Sequence, residues 1–248
     1  MKTLVEFIGA PGIGKSYVAF RLYRYATKNA GQSVVDGSTI TSMAFGARLN
    51  HKLRAISIAV ARAPKLMVKL VKVVLASGVR HPGAVIRLWS NWAFLLGHVH
   101  KLMGRADCVI MDQGFTQALV STYIRGNVSM EMRRVRALFD ELTKRAKANR
   151  LICVFIEAEP SVHRERLEAR EAVGGYVPEI SKDRWRAEAA SIFKALAANV
   201  TQLENCRMEY VCYKNDGEDA HLSEFCDSLA HMIRAGWEIR NEKPVVNR

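Results

Sequence analysis

The sequence has few of the residues that build covalently stapled scaffolds or flexible linkers. It contains five cysteines, an odd number with no Cys-x-x-Cys pair, and only six prolines and sixteen glycines among 248 residues. This composition disfavours a disulfide framework or a zinc ribbon, and it excludes collagen-like and linker-dominated chains. Hydrophobic residues make up 49% of the chain and charged residues 25%, which is typical of a globular protein.

The chain also lacks a basic and apolar leader at its start, and no apolar run reaches the ~20 residues of a membrane-spanning helix. The two most apolar stretches, residues 66–76 and 85–99, are both shorter than that. We therefore expect a reducing, cytoplasmic location, with peripheral contact at the inner face of the membrane left open.

Acidic residues are absent from one long segment. Residues 37–106, called the basic insertion below, contain no Asp or Glu but eleven Lys and Arg. The remainder of the chain holds all 24 acidic residues and is nearly neutral, so the net charge of +13 is concentrated in this segment. We expect its binding partner to be anionic. The basic residues are Arg48, Lys52, Arg54, Arg62, Lys65, Lys69, Lys72, Arg80, Arg87, Lys101 and Arg105.

Short apolar segments alternate with helical patterns along the chain. The alternation predicts a three-layer α/β fold, a five-stranded parallel sheet with helices on both faces. Ligands of such sheets bind at the carboxyl ends of the strands. We predict a mostly helical basic insertion, broken at Pro64, Gly78 and Pro82, and a loose tail after Trp237. The predicted strands cover residues 3–8, 33–35, 108–111, 151–156 and 208–213, and the other predicted helices cover residues 15–29, 130–148, 161–171, 182–203 and 220–235.

A glycine-rich segment follows the first predicted strand. Residues 9–16 read Gly-Ala-Pro-Gly-Ile-Gly-Lys-Ser and match G-x-x-x-x-G-K-[ST], in which backbone N–H groups and the start of a helix surround an anion. Lys15 would reach the β- and γ-phosphates of ATP, and the Ser16 hydroxyl would hold Mg²⁺. The alternative is a glycine-rich turn without a ligand. The predicted nucleotide-binding residues here are Gly9, Pro11, Gly12, Ile13, Gly14, Lys15, Ser16 and Tyr17.

Asp112 ends the apolar run at 108–111, where a second group that organises Mg²⁺ would lie. A helix cap or a turn is the alternative role for this residue.

At these residues the chain resembles the thymidylate kinase-like P-loop kinases, which belong with the nucleoside and nucleotide kinases. The resemblance rests on residues 9–16, on the Asp-Gln-Gly at 112–114 and on the later arginines, and it does not cover the basic insertion. It implies a P-loop NTPase fold and an ATP-dependent reaction. Gln113 stands where that family commonly has an arginine near the acceptor, which argues against a plain nucleoside monophosphate as acceptor.

The resemblance implies a lid at residues 160–186. Arg164, Arg166 and Arg170 start the helix after the fourth strand, and glycines follow at 174–175. In that family the lid arginines neutralise charge on the transferred phosphoryl group, a role that we assign to Arg166 and Arg170. The alternative is a solvated helix whose arginines pair with neighbouring glutamates. Arg184 and Arg186 are weaker candidates for the lid.

The resemblance also assigns roles to the ends of two other strands. Asn215 and Gly217 would contact the adenine, mainly through backbone groups, although the residues also fit a β-turn. Asp36 would act as general base on the acceptor hydroxyl or bind the acceptor, unless it only caps the next helix.

Three interpretations of the basic insertion remain open. It could be a helical cap that binds the acceptor, or a surface that meets anionic lipid or a lipid-linked substrate. Nucleic-acid binding has the charge in its favour but no recognisable motif. The histidines in the segment, such as His98 and His100, have no clear metal-binding spacing.

Together these observations predict one domain over residues 1–248 that transfers the γ-phosphoryl group of ATP, with Mg²⁺, to a small anionic acceptor such as a nucleotide, a sugar or a glycan precursor. The alternative is a nucleotide-switched NTPase whose basic insertion binds a membrane, a nucleic acid or a protein.

Overall fold

The order of the strands determines which loops come together. In the computed structural model the strands are β1 (Thr3–Ile8), β2 (Val34–Asp36), β3 (Cys108–Met111), β4 (Arg150–Glu157) and β5 (Arg207–Lys214). They form a parallel sheet in the order β2-β3-β1-β4-β5. Every residue of β1 and β3 is buried, as continuous apolar runs predict for inner strands of a parallel sheet. The predicted α/β fold is confirmed.

The structure describes residues 1–29, 33–38, 45–126, 131–172, 182–215 and 219–241, and it describes only the backbone for residues 29, 45, 170–172, 182–186 and 236–241. Its helices are α1 (Lys15–Asn29), α2 (Phe45–Arg62), α3 (Pro64–Ala76), α4 (Pro82–Met103), α5 (Phe115–Gly126), α6 (Met132–Ala146), α7 (Pro160–Ala172), α8 (Lys182–Asn199) and α9 (Asp219–Asn241). Helix α1 packs against α9, whereas α4 contacts α5 and α6, and both of these contact α8.

The described part of the basic insertion consists of α2, α3 and α4. The helices end at the predicted breaks, because Pro64 and Pro82 stand in the first turns of α3 and α4, where a missing N–H is tolerated. Both α2 and α3 pack on α4. A Cβ at Gly97 of α4 would lie 1.8 Å from the Ala55 carbonyl oxygen, so α2 and α4 can approach this closely only at a glycine.

Helix α5 and the end of α9 differ from what the sequence predicts. Helix α5 was not predicted, because it is buried almost all round and therefore shows no clear polar face. The segment after Trp237 was expected to be loose, but α9 continues to Asn241. Polar residues there, such as Glu238 and Arg240, are good helix formers.

Candidate active site

The loop between β1 and α1 has a backbone shape that requires its glycines. Gly12 and Gly14 have φ angles of 83° and 96°, which residues other than glycine rarely adopt. A Cβ on Gly12 would also lie 2.7 Å from Leu167 Cδ2, and one on Gly14 would lie 2.5 Å from Asn215 Nδ2. The glycines thus allow both the turn and the close packing of later elements on it.

The Lys15 side chain is buried against the same loop. Its Nζ donates hydrogen bonds to the carbonyl oxygens of Gly9 and Ala10 at 2.8 and 2.9 Å. The Gly9 amide donates to Gln117 Oε1 on α5 at 3.2 Å. Gln117 therefore braces the start of the loop. It was not among the predicted site residues, and no local pattern distinguishes it.

Ser16 and Asp112 meet at the carboxyl end of β3. Ser16 Oγ donates to Asp112 Oδ2 at 2.7 Å, and the Asp112 amide donates to Ser38 Oγ at 2.9 Å. Asp112 is only 8% exposed. A hydroxyl and a carboxylate beside a glycine-rich loop are oxygen ligands of the kind that Mg²⁺ prefers, so the two residues predicted to hold the metal are in contact.

Asp36 is linked to this pair by hydrogen bonds through Ser38. The Ser38 amide donates to Asp36 Oδ1 at 2.7 Å, while the Ser38 hydroxyl accepts from Asp112. The Asp36 side chain therefore accepts a hydrogen bond within the turn after β2. Ser38, which was not predicted, joins the two carboxylate-bearing turns.

Helix α7 contacts the glycine-rich loop directly. His163 is 1% exposed, and its Nε2 donates to the Pro11 carbonyl oxygen at 2.8 Å. One turn further, Leu167 packs against Gly12. Arg166 donates to the Ile13 carbonyl oxygen at 3.3 Å. Arg166 therefore points to the loop. His163 was missed because a lone histidine carries no positional signal.

The end of β5 supports the loop from a third direction. Asn215 is buried, and its Nδ2 donates to the Ile13 carbonyl oxygen at 2.9 Å. Its side chain thus contacts the loop, whereas we had expected backbone groups to matter most. Arg166 also donates to the Asn215 carbonyl oxygen at 3.4 Å. Tyr17, which is half exposed, donates to Asp219 Oδ1 at 3.1 Å at the start of α9.

A fully buried carboxyl group lies beneath the site. Glu6 Oε1 on β1 accepts hydrogen bonds from the Thr116 amide at 3.0 Å and from the Thr116 hydroxyl. Burial raises the pKa of Glu6 above its ordinary value of 4.5, and the hydrogen bonds from Thr116 oppose this increase only in part. Glu6 holds the first turn of α5 and thereby positions Gln117.

Two histidines join the basic insertion to the turn after β2. The Gly37 carbonyl can only accept, so His98 Nε2 donates to it at 3.1 Å, and His98 Nδ1 must accept from His51 Nε2 at 3.1 Å. Burial lowers the pKa of His98 to about 4, so the ring is neutral near neutral pH. His100 lies elsewhere, with its Nδ1 bonded to the Arg145 carbonyl oxygen at 2.7 Å.

Some predicted site residues lie outside the part that the structure describes. Gly217 and the glycines at 174–175 are outside the described residues, as are the side chains of Arg170, Arg184 and Arg186. Gln113 is described and is exposed.

The parallel sheet and the loop with its lysine define the P-loop NTPase class, a fold that generally binds a nucleotide with Mg²⁺. A family model described as an AAA domain matches residues 4–194, which is well over half of the chain. The protein therefore belongs to this AAA domain family, which is of P-loop NTPase type and includes kinases. No curated protein matches the sequence. Among the described helices, none combines the length and the apolar character needed to cross a membrane.

Proposed function

We propose that this protein is a kinase that transfers the γ-phosphoryl group of ATP to a small anionic acceptor. The observation that carries the proposal is the 2.7 Å contact between Ser16 Oγ and Asp112 Oδ2, next to Lys15 in the first turn of α1. One cation and two oxygen ligands are thus gathered at the carboxyl ends of β1 and β3, where ligands of parallel sheets bind.

The residues present suit ATP with Mg²⁺. Ser16 and Asp112 would hold the metal ion, which neutralises charge on the β- and γ-phosphates when bound. The amides of the loop and of the first turn of α1 offer N–H groups to the phosphates, and the Lys15 ammonium adds a full positive charge. Asn215 holds the loop in shape, and Gly217 and Tyr17 complete the nucleotide-binding set that we propose.

Arg166 supplies a second cation on the other side of the loop. Its guanidinium lies 3.3 Å from the Ile13 carbonyl oxygen, so its charge is next to the phosphate-binding backbone. Phosphoryl transfer depends mainly on positioning and on charge neutralisation, which this arginine and Lys15 provide together. We propose that Arg170, one turn further along α7, acts with it when residues 160–186 close over the phosphates.

The acceptor would bind between Asp36, the loop at Gln113 and the basic insertion. Asp36 follows β2 and contacts Ser38, which in turn contacts Asp112. A carboxylate in this place would accept the proton of the acceptor hydroxyl. The absence of acidic residues from the insertion favours an acceptor that is itself anionic, such as a nucleotide, a sugar phosphate or a glycan precursor.

The proposal is tested with ATP labelled at the γ-phosphate, supplied with Mg²⁺ to a desalted small-molecule extract and separately to its lipid fraction. We expect label in a product of one fraction. Lys15→Ala should lose at least about 2 kcal/mol of transition-state stabilisation, roughly a thirtyfold loss of kcat/KM. Lys28→Ala, at the exposed end of α1, is the matched control and should retain activity.

Two outcomes would contradict the proposal in different ways. Label found only as inorganic phosphate would favour a nucleotide-switched NTPase, in which the basic insertion binds a partner. Turnover that is unchanged in Lys15→Ala would contradict the assignment of the loop itself.

A further inference from the structure

Exposed apolar side chains are concentrated on the basic insertion. Among the described residues eight large hydrophobic side chains are exposed, and six of them belong to α2, α3 and α4. Concentrations of this kind on a protein surface mark interaction sites more often than scattered single residues do. The six are Leu49, Leu53 and Val60 on α2, Val68 and Leu75 on α3, and Ile86 on α4.

On α2 these side chains form one stripe. Leu49, Leu53 and Val60 are spaced four and seven residues apart, which places them on the same face of a helix. The buried Ala55 and Ala59 lie on another face, and the Ala55 backbone approaches Gly97 of α4. The stripe therefore points away from α4, and Leu53 remains 55% exposed.

Helix α3 combines apolar and positively charged side chains on one exposed face. Its buried face consists of leucine, valine and methionine residues packed against the core. The spacing of the exposed residues, alternately three and four, keeps them on one side of the helix. In chain order this exposed face carries Lys65, Val68, Lys72 and Leu75.

We propose that the outer faces of α2 and α3 bind the surface of an anionic phospholipid bilayer. The aliphatic side chains would enter the boundary between headgroups and acyl chains, as those of interfacial helices do. Each Lys or Arg near such a surface strengthens binding about fivefold. No carboxylate within residues 37–106 repels the lipid, which gives the surface charge complementarity to anionic headgroups.

The same surface is less suited to nucleic acid. Proteins that bind single strands stack bases on exposed aromatic side chains. The exposed large hydrophobic residues of α2, α3 and α4 are all Leu, Val or Ile. Trp92 is fully buried, and Trp89 is half-buried with its indole N–H bonded to the Met67 carbonyl oxygen. Aliphatic side chains between lysines suit a lipid interface better.

The test is co-sedimentation of the full chain with vesicles of phosphatidylcholine, with and without phosphatidylglycerol. We expect binding only to the anionic vesicles, and weaker binding as salt is added. The double variant Leu49→Ser/Leu53→Ser should bind at least about tenfold more weakly, because it removes apolar surface that enters the bilayer. Lys65→Gln/Lys72→Gln should lose roughly fivefold for each charge removed.

Matched controls distinguish binding by this surface from nonspecific binding by other exposed residues. Phe20→Ser removes an exposed hydrophobic side chain of α1, and Lys194→Gln removes an exposed cation of α8. Both should bind vesicles as the unmodified protein does. Because all six substituted residues are exposed, circular dichroism should show the same fold in every variant.

Three outcomes would overturn the inference: no binding to anionic vesicles at low salt, equal binding to neutral vesicles, or variants that bind like the unmodified chain. Binding of DNA or RNA that Lys65→Gln/Lys72→Gln weakens, without vesicle binding, would assign the surface to nucleic acid. The inference does not depend on the kinase proposal, since Lys15→Ala should still bind vesicles.

Discussion

At the scale of single residues, Glu6 shows how the core supports the site. Its carboxyl group is fully buried on the central strand, and its hydrogen bonds go to the first turn of α5. A carboxylate at a helix N-terminus is favourable in itself, but burial disfavours the charged form more strongly. The folded protein therefore holds this proton more tightly than the unfolded chain does.

The pH dependence of the free energy of unfolding should reveal the raised pKa of Glu6. Glu6 has a raised pKa in the folded state, so the unfolded chain loses its proton first as pH rises above 4.5. The free energy of unfolding should then fall with rising pH until the raised pKa is passed. Glu6→Gln cannot ionise, so its stability relative to the unmodified protein should increase over the same window. Urea unfolding at a series of pH values measures both.

Glu224→Gln, which changes an exposed carboxylate of α9, is the control and should show no such relative change. A constant difference between Glu6→Gln and the unmodified protein at all pH values would contradict the raised pKa.

The sequence could identify Lys15, Ser16 and Asp112, because each has a fixed place relative to an apolar strand. It could not identify Gln117 or His163. Their partners on the loop are 108 and 152 positions away, and only the packing of α5 and α7 brings them there. Ser38 was missed for a similar reason, since its role depends on β2 lying beside β3.

At the scale of elements, α7 is the part of the proposed lid that contacts the glycine-rich loop. Arg166 faces the loop, whereas Arg164, two residues earlier, is exposed. These two arginines offer a matched comparison on one helix.

Arg166→Gln should lower kcat of the proposed phosphotransferase by about a hundredfold, because it removes one charge-stabilising donor, an effect of about 2.7 kcal/mol. Arg164→Gln should leave kcat within about twofold of the unmodified enzyme, as expected for an exposed residue outside the site. Steady-state kinetics with saturating ATP measures both. Equal effects of the two substitutions would show that α7 acts only through its general charge.

The elements themselves differ in how well the sequence predicts them. Strands β1 and β3 are clear because inner strands of a parallel sheet are mostly apolar, with Glu6 as the charged exception in β1. Helix α5 is difficult to recognise in the sequence, because a helix that is buried on most sides has no polar face to mark its period. The breaks between α2, α3 and α4 were predictable because proline constrains them locally.

At the scale of the whole molecule, nucleotide binding should stabilise the fold. The loop is contacted by residues from α5, α7 and the end of β5, so a ligand that stabilises the loop is linked to elements far apart in the chain. At about 100 times its Kd, ATP with Mg²⁺ should add about 2.7 kcal/mol to the free energy of unfolding. For a chain of this size that corresponds to an increase in Tm of roughly 5–10 °C.

Differential scanning fluorimetry measures this increase, with and without a chelator. In Asp112→Asn the part of the increase that needs Mg²⁺ should disappear, whereas Asp227→Asn, at an exposed position of α9, should behave like the unmodified protein. An increase that is insensitive to both the chelator and Asp112→Asn would contradict the metal-binding role of this residue.

Asn215 also has a consequence for the order of events on the ribosome. The loop at residues 9–16 leaves the exit tunnel well before Asn215, whose side-chain amide holds Ile13 from 202 positions further along the chain. A nascent chain that ends before β5, for example at the last residue of the family match, has neither this brace nor the outermost strand. Nucleotide binding should therefore reach full strength only once β5 and Asn215 have left the exit tunnel, and chains that stop before β5 should bind nucleotide more weakly.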